Sequence, residues 1–212
     1  MFGVPRWEWT GENRFDDPQH RKGDPEPGLF RVVYCSSSRA GAFGETIARF
    51  RKSLRLLSEL GQIEDDEPLD PDLEGGVLPE EWRLNRRIGS SHLASTSRFA
   101  DLEVPRAATV LRREMAPLLG ALGLEDLDFS DLTGRRRQVT QYAARCVYEA
   151  TDETGEPFFD GIRYASRLNP GWELWAIFAD RMLHKPEDLY QRIGRDDPDL
   201  REAADILDIE VE

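Results

Sequence analysis

Apolar residues along this chain follow two rhythms, one of strands and one of helices. The run LFRVVYC, Leu29–Cys35, is short, apolar and β-branched, which predicts a buried strand. Ser36–Arg39 follows as a turn able to cap a helix. Over Ala40–Leu57 the positions Ala40, Phe43, Ile47, Phe50, Leu54 and Leu57 recur every three or four residues, the single stripe of an amphipathic helix. Gly41 and Gly44 weaken its first turns by roughly 1 kcal/mol each relative to Ala, and also let a ligand approach the backbone closely. Trp82–Val104 predicts two weak strands, the better one at Phe99–Val104. Pro105 suits a first helical turn and predicts a helix to about Leu122, with Ala108, Leu111, Met115 and Leu118 on one face and a kink or end at Pro117. Gly134–Ala150 predicts a third helix with Val139, Tyr142, Cys146, Val147 and Ala150 inward. Strands over Phe158–Tyr164 and Trp172–Phe178 and a last helix over Asp197–Leu207 complete the pattern. Mixed elements with no repeat and no interdomain linker predict an α+β fold, one mixed domain over residues 1–212.

The polar stretches change this picture little. Residues 1–28 are rich in Gly, Pro, Asp and aromatics and predict irregular structure ending in the turn-prone GDPEPG. Residues 58–81 hold Glu59, Glu64, Asp65, Asp66, Glu67, Asp70, Asp72 and Glu74 with three prolines. They predict a solvated acidic insertion rather than a metal site, because the acids keep no ligand spacing and no His falls among them. The C-terminal helix and tail, 197–212, are acidic as well.

Charge narrows the partners. The 212 residues carry a formal net charge of −13, a field that repels nucleic acid and anionic lipid. No direct nucleic-acid binding and no membrane association are therefore expected, although a local basic cleft can still take an anion. No run of about 20 apolar residues exists to span a bilayer. The first residues lack a secretory pattern, and Cys35 and Cys146 lie in apolar runs, which predicts buried free thiols and a cytoplasmic protein.

The standard cofactor fingerprints, GxGxxG after a strand, P-loop, HExxH and paired CxxC, do not occur. His20, His92 and His184 are scattered and make no ligand set, so neither a metal site nor a Ser-His-Asp hydrolase is expected. Two local patterns remain: NRFDDP followed by a strand ending in Tyr34 and then Glu45, and FFDGIRYASR. Arg14 lies in a structured loop among Asn, Asp and Pro. Tyr34 ends a strand, where side chains often face a cleft mouth. Glu45 lies off the Phe43/Ile47 stripe, and its plain alternative is a solvated acid paired with Arg49 at i,i+4. For Ser166 the plain alternative is a turn residue.

The stretch LFRVVYCSSSRAGAFGETIARFR resembles the first half of the RES domain, a family named for an Arg, a Glu and a Ser. GIRYASR, followed by WELWAIF, is similar to its second half, and NRFDDP resembles the loop carrying its first Arg. The resemblance is strongest over residues 7–180, where the order of segments, the eleven positions from Tyr34 to Glu45 and the Gly-x-x-Tyr-x-Ser run occur together. It implies a fold like that of ADP-ribosyltransferases. It also implies a bacterial toxin that breaks the nicotinamide–ribose bond of NAD+ by phosphorolysis or hydrolysis, paired with a helix-turn-helix antitoxin. A homodimer is compatible with it.

Under this resemblance NAD+ is the substrate, inorganic phosphate a possible co-substrate, and no cofactor or metal is needed, since nicotinamide leaves as a neutral group from a cation. Glu45, Arg14, Tyr34 and Ser166 are the expected catalytic residues, with Arg163 and Tyr164 expected to bind substrate. Bond cleavage builds positive charge on the ribose, as in glycoside hydrolysis, and a fixed carboxylate at Glu45 suits that charge. Arg14, and less well Arg163, suits the pyrophosphate or an attacking phosphate. Tyr34 is suited to stacking on nicotinamide or bonding the ribose, and Ser166 to donating to a phosphate oxygen.

The family has a further Arg, often beside a Tyr, upstream of the NRFDDP-like loop, and Arg6 in PRWEW does not match it. Two expectations follow: either the natural start lies further upstream, or this member lacks one anion contact. Two other readings stay open: an ADP-ribosyltransferase acting on a macromolecule, and a catalytically inactive RES-like module that binds a nucleotide or a partner protein.

Overall fold

The computed structural model describes residues 4–20, 28–53, 76–182 and 189–212. It is α+β, as the pattern predicts. Backbone contacts divide the chain into two compact units, one of Met1–Ser36 with Ser91–Asp188, the other of Ser37–Ser90 with Leu189–Glu212.

The first unit is built on a four-stranded sheet of β1 (Val32–Ser36), β4 (Phe99–Asp101), β5 (Gly161–Ala165) and β6 (Glu173–Phe178). Its order is β1-β6-β5-β4; β6 runs antiparallel to both neighbours, and β4 runs parallel to β5. Cross-strand partners share a face. Tyr34, Ala176 and Ile162 form one row, with Ser36, Leu174 and Tyr164 beside it on the same face. Cys35, Trp175, Arg163 and Asp101 form a row on the opposite face. The first face carries the core, in which Val32, Ile162, Leu174, Ala176 and Phe178 pack with Val139, Ala143, Ala144 and Val147 of the helix Arg137–Glu149. At Gly161 an added Cβ would sit 2.4 Å from the Ala176 carbonyl oxygen, so the close β5–β6 approach admits only glycine.

In the second unit, Arg39–Ile47 is a helix capped by Ser38, whose Oγ accepts from Gly41 N at 3.0 Å. Ala40, Phe43 and Ile47 are buried, as are Leu200, Ala203, Ala204 and Leu207 of the helix Pro198–Leu207. Two short pairs complete this unit: β2 (Val77–Leu78) parallel to β8 (Glu210–Val211), and β3 (Arg87–Ser90) antiparallel to β7 (Leu189–Arg192). Arg39 joins them from the first helical position: it donates to Asp199 and Gln191 at 2.9 Å each, and to Asp197.

Several expected boundaries are corrected. The helix predicted to Leu57 stops at Ile47, passes through a 3₁₀ turn at Ala48–Phe50 and ends with Arg51 extended (φ −60°, ψ 144°). Thr46 bonds back to Ala42 O at 2.8 Å, a side-chain competition that loosens a last turn. Residues 54–75, with the end of that helix and most of the acidic insertion, lie outside the described residues. The rest of the insertion is ordered structure: β2, then a helix at Glu80–Leu84 that buries Trp82 and takes it out of the expected strand. The break expected at Pro117 is present: Pro105–Glu114 and Ala116–Ala121 are separate helices meeting at Met115, because Pro117 has no N–H for the Arg113 carbonyl. A short helix at Phe129–Thr133, with the Asp128/Asp131 capping box, was not predicted. Cys35 and Cys146 are free thiols and only half-buried, not fully buried as their apolar runs suggested.

Candidate active site

The NRFDDP segment is a loop closed by two buried carboxylates. Asp16 Oδ2 accepts from Gly11 N at 2.7 Å and from Asn13 N and Asn13 Nδ2, both at 2.9 Å. Its Oδ1 accepts from the Tyr34 phenol at 3.1 Å, and that phenol oxygen accepts from Phe15 N at 2.9 Å. Asp17 faces the other way: its Oδ2 accepts from Arg145 at 2.9 Å and from Phe30 N at 3.2 Å. Both aspartates are 1% exposed. From the core helix, buried Gln141 donates Nε2 to Gly11 O and to Asn13 O at 3.0 Å each. The backbone around Arg14 is thus tied to β1 and to the helix Arg137–Glu149.

Arg14 projects from this loop with its guanidinium 4.9 Å from the centres of the Phe15 and Tyr164 rings. Its Nη2 donates to Leu132 O at 2.6 Å. Phe15 and Tyr164 meet edge to face at 4.7 Å. A planar cation fixed over aromatic faces suits an anion with an adjoining ring. Tyr34 meets Phe15 at its backbone, where the phenol oxygen accepts from Phe15 N. Burial first, then the Asp16 charge, push its phenol well above the ordinary tyrosine range, so it is neutral. Because its O–H already donates to Asp16, it can meet a ligand with its ring or as an acceptor, not as a donor.

The structure therefore gathers Arg14, Tyr34 and Tyr164 around Phe15. Ser166, two positions beyond Tyr164, is buried; its Oγ accepts from Leu168 N at 3.0 Å, so it holds the turn after β5. Arg163 does not join them. It lies on the opposite face of the sheet, donating to Glu173 at 2.5 Å, Asp101 at 2.8 Å and Glu103 at 3.2 Å. Glu45 belongs to the second unit, exposed on its helix and off the buried Phe43/Ile47 stripe, as expected; the Arg49 guanidinium lies 4.8 Å from the Phe50 ring centre.

The model of one family, the RES domain, matches residues 6–198. The chain belongs to the RES domain family. The match spans segments of both units, from the Arg14 loop through Glu45 to Ser166 and beyond. RES membership supports an NAD-related or toxin-like role. No curated protein and no solved structure matches the chain.

Sequence reasoning singled out Arg14 but missed the residues that hold it: Asp16, Asp17, Gln141 and Arg145. The paired aspartates were in view within NRFDDP. What was not in view is that their partners Tyr34 and Arg145 come from 18 and 128 positions away, and that Gln141 reaches the Gly11 carbonyl across 130. Among the described residues no group of His, Cys, Asp and Glu is arranged to hold a metal ion. No helix among them is long and apolar enough to cross a membrane.

Proposed function

We propose that this RES domain cleaves the nicotinamide–ribose bond of NAD+, as the toxin of a toxin–antitoxin pair in the cytoplasm. The C–N electron pair leaves with nicotinamide, whose ring nitrogen loses its positive charge. A phosphate or water oxygen forms the new bond to the ribose carbon, giving ADP-ribose phosphate or ADP-ribose and releasing a proton in the hydrolytic case. The observation that carries this reading is Arg14, a cation laid over Tyr164 beside the Tyr34 phenol, in a chain of this family. That set matches a ligand that is both anionic and aromatic. Arg14 takes a phosphate, the Tyr34 and Tyr164 rings take the base or ribose, and Ser166 keeps the turn beneath Tyr164 in place or donates to phosphate. Glu45 is the carboxylate that offsets charge developing on the ribose. The fold works as one RES domain, partnered by a helix-turn-helix antitoxin.

The test is incubation of the purified protein with NAD+, with and without phosphate, and identification of the products by mass. Nicotinamide should appear without added metal and in the presence of a chelator. The mass of the second product identifies the acceptor. ADP-ribose attached to protein or nucleic acid would point to a transferase instead, and bound but intact NAD+ to an inactive module.

A further inference from the structure

We propose that Asp16 is a positioning residue for Arg14 and Tyr34, holding both in the orientation that the proposed NAD+ cleavage requires. The inference rests on that reading of the function and deepens it.

A buried carboxylate is expensive unless its charge is matched, and an apolar or neutral residue is commonly better for stability. Asp17 shows the usual match, an Arg145 guanidinium at 2.9 Å. Asp16, equally buried, is bonded to three N–H groups and one phenol, none of them a cation. What it gains from the charge is acceptor capacity. Three donors converge on Oδ2 while Oδ1 accepts from the Tyr34 hydroxyl. An asparagine in its place would offer one acceptor oxygen and turn an amide NH₂ toward a phenol that already accepts from Phe15 N. Only a side chain with two acceptor oxygens serves the loop and the strand together.

These bonds surround Arg14 in the chain. On one side Asn13 has its N–H on Asp16 and its carbonyl on Gln141; on the other Phe15 has its N–H on the Tyr34 phenol. Removing the carboxylate leaves the Gly11 and Asn13 amides and the phenol without their acceptor, at the point from which the guanidinium reaches Tyr164. Positioning of this kind is worth up to about 100-fold in rate for a displacement of about 1 Å.

The test is a double-mutant cycle of Asp16→Asn and Arg14→Ala, followed by NAD+ turnover and by calorimetric binding of ADP-ribose. If Asp16 acts through Arg14, Asp16→Asn lowers kcat by roughly 10- to 100-fold, and the double variant is no slower than Arg14→Ala alone. Amide exchange at Gly11, Asn13 and Phe15 should quicken in Asp16→Asn. Single effects that multiply, or a lower melting temperature with normal kcat, would overturn the positioning role while leaving the reaction intact. Coupled losses in ADP-ribose binding without any NAD+ turnover in the parent would overturn the reaction and uphold the positioning. A parent that neither binds ADP-ribose nor consumes NAD+ would overturn both. Should Asp16→Asn not fold, Tyr34→Phe, which removes one of the four bonds to Asp16, carries the same cycle.

Discussion

Arg163 donates its Nε hydrogen to Glu173 Oε1 at 2.5 Å across the β5–β6 pair, on the face of the sheet turned away from Arg14. Asp101 and Glu103 complete a ring of three acids around this one cation. The bond to Glu173, ahead of the Asp101 charge, raises the already high guanidinium pKa, so Arg163 stays charged.

Arg163→Met should therefore act on stability. The ring is about a third exposed, so screening limits the loss to about 1–2 kcal/mol at low salt, and less in 1 M salt. Urea unfolding at two ionic strengths reads this directly. KM for NAD+ should stay within about twofold, because no anion contact is removed; a tenfold rise would restore the substrate-binding role that the GIRYASR motif suggested.

The Cys35 thiol should be slow to react. Burial pushes it up to about 11, so near pH 8 about one thiol in a thousand is thiolate. Alkylation by iodoacetamide, followed by mass, should quicken about tenfold per pH unit until pH approaches 11. Rapid labelling at pH 7 would show a thiolate stabilised by something other than its surroundings in the sheet.

Glu45→Gln should fold normally and melt within a few degrees of the parent, yet lose about 10²–10³-fold in NAD+ cleavage, the usual worth of a preorganised charge in a transition state. The substitution keeps size and removes charge. Arg49→Ala should leave turnover nearly unchanged, since an exposed i,i+4 pair contributes only about 0.3–0.5 kcal/mol to stability. Near-parental turnover in Glu45→Gln would remove this residue from the chemistry.

Local pattern made the strands of the four-stranded sheet and the long helices legible because their signals are contained within a few residues, whereas the short strands β2, β7 and β8 carry no such signal and were missed. Val139 and Val147 report a helix face, and Val32 and Val33 a strand, without reference to anything distant. The break at Pro117 was legible because proline acts locally, whereas the early end of the first helix, loosened at Thr46, was lost. The site was legible as motifs and not as geometry. Arg14 and Tyr164 are 150 positions apart in the chain, and nothing in either segment announces a 4.9 Å approach. Likewise Arg163 and Tyr164 look equivalent in sequence, yet strand alternation sends them to opposite faces.

The absent side chain at Gly161 sets a tolerance for the whole strand. The clash there would be with backbone, the Ala176 carbonyl, so no change of rotamer relieves it. Even a methyl group would pry β5 from β6 near the point where Phe178 N meets Asp160 O at 2.9 Å. Tyr164 rides three residues further along the same rail, and Ser166 two beyond that. The glycine acts as the zero mark of a ruler whose later graduations are an aromatic platform for a cation and a hydroxyl that folds the chain back. A single hydrogen atom, far from any chemistry, thereby fixes where the ring beneath Arg14 comes to rest.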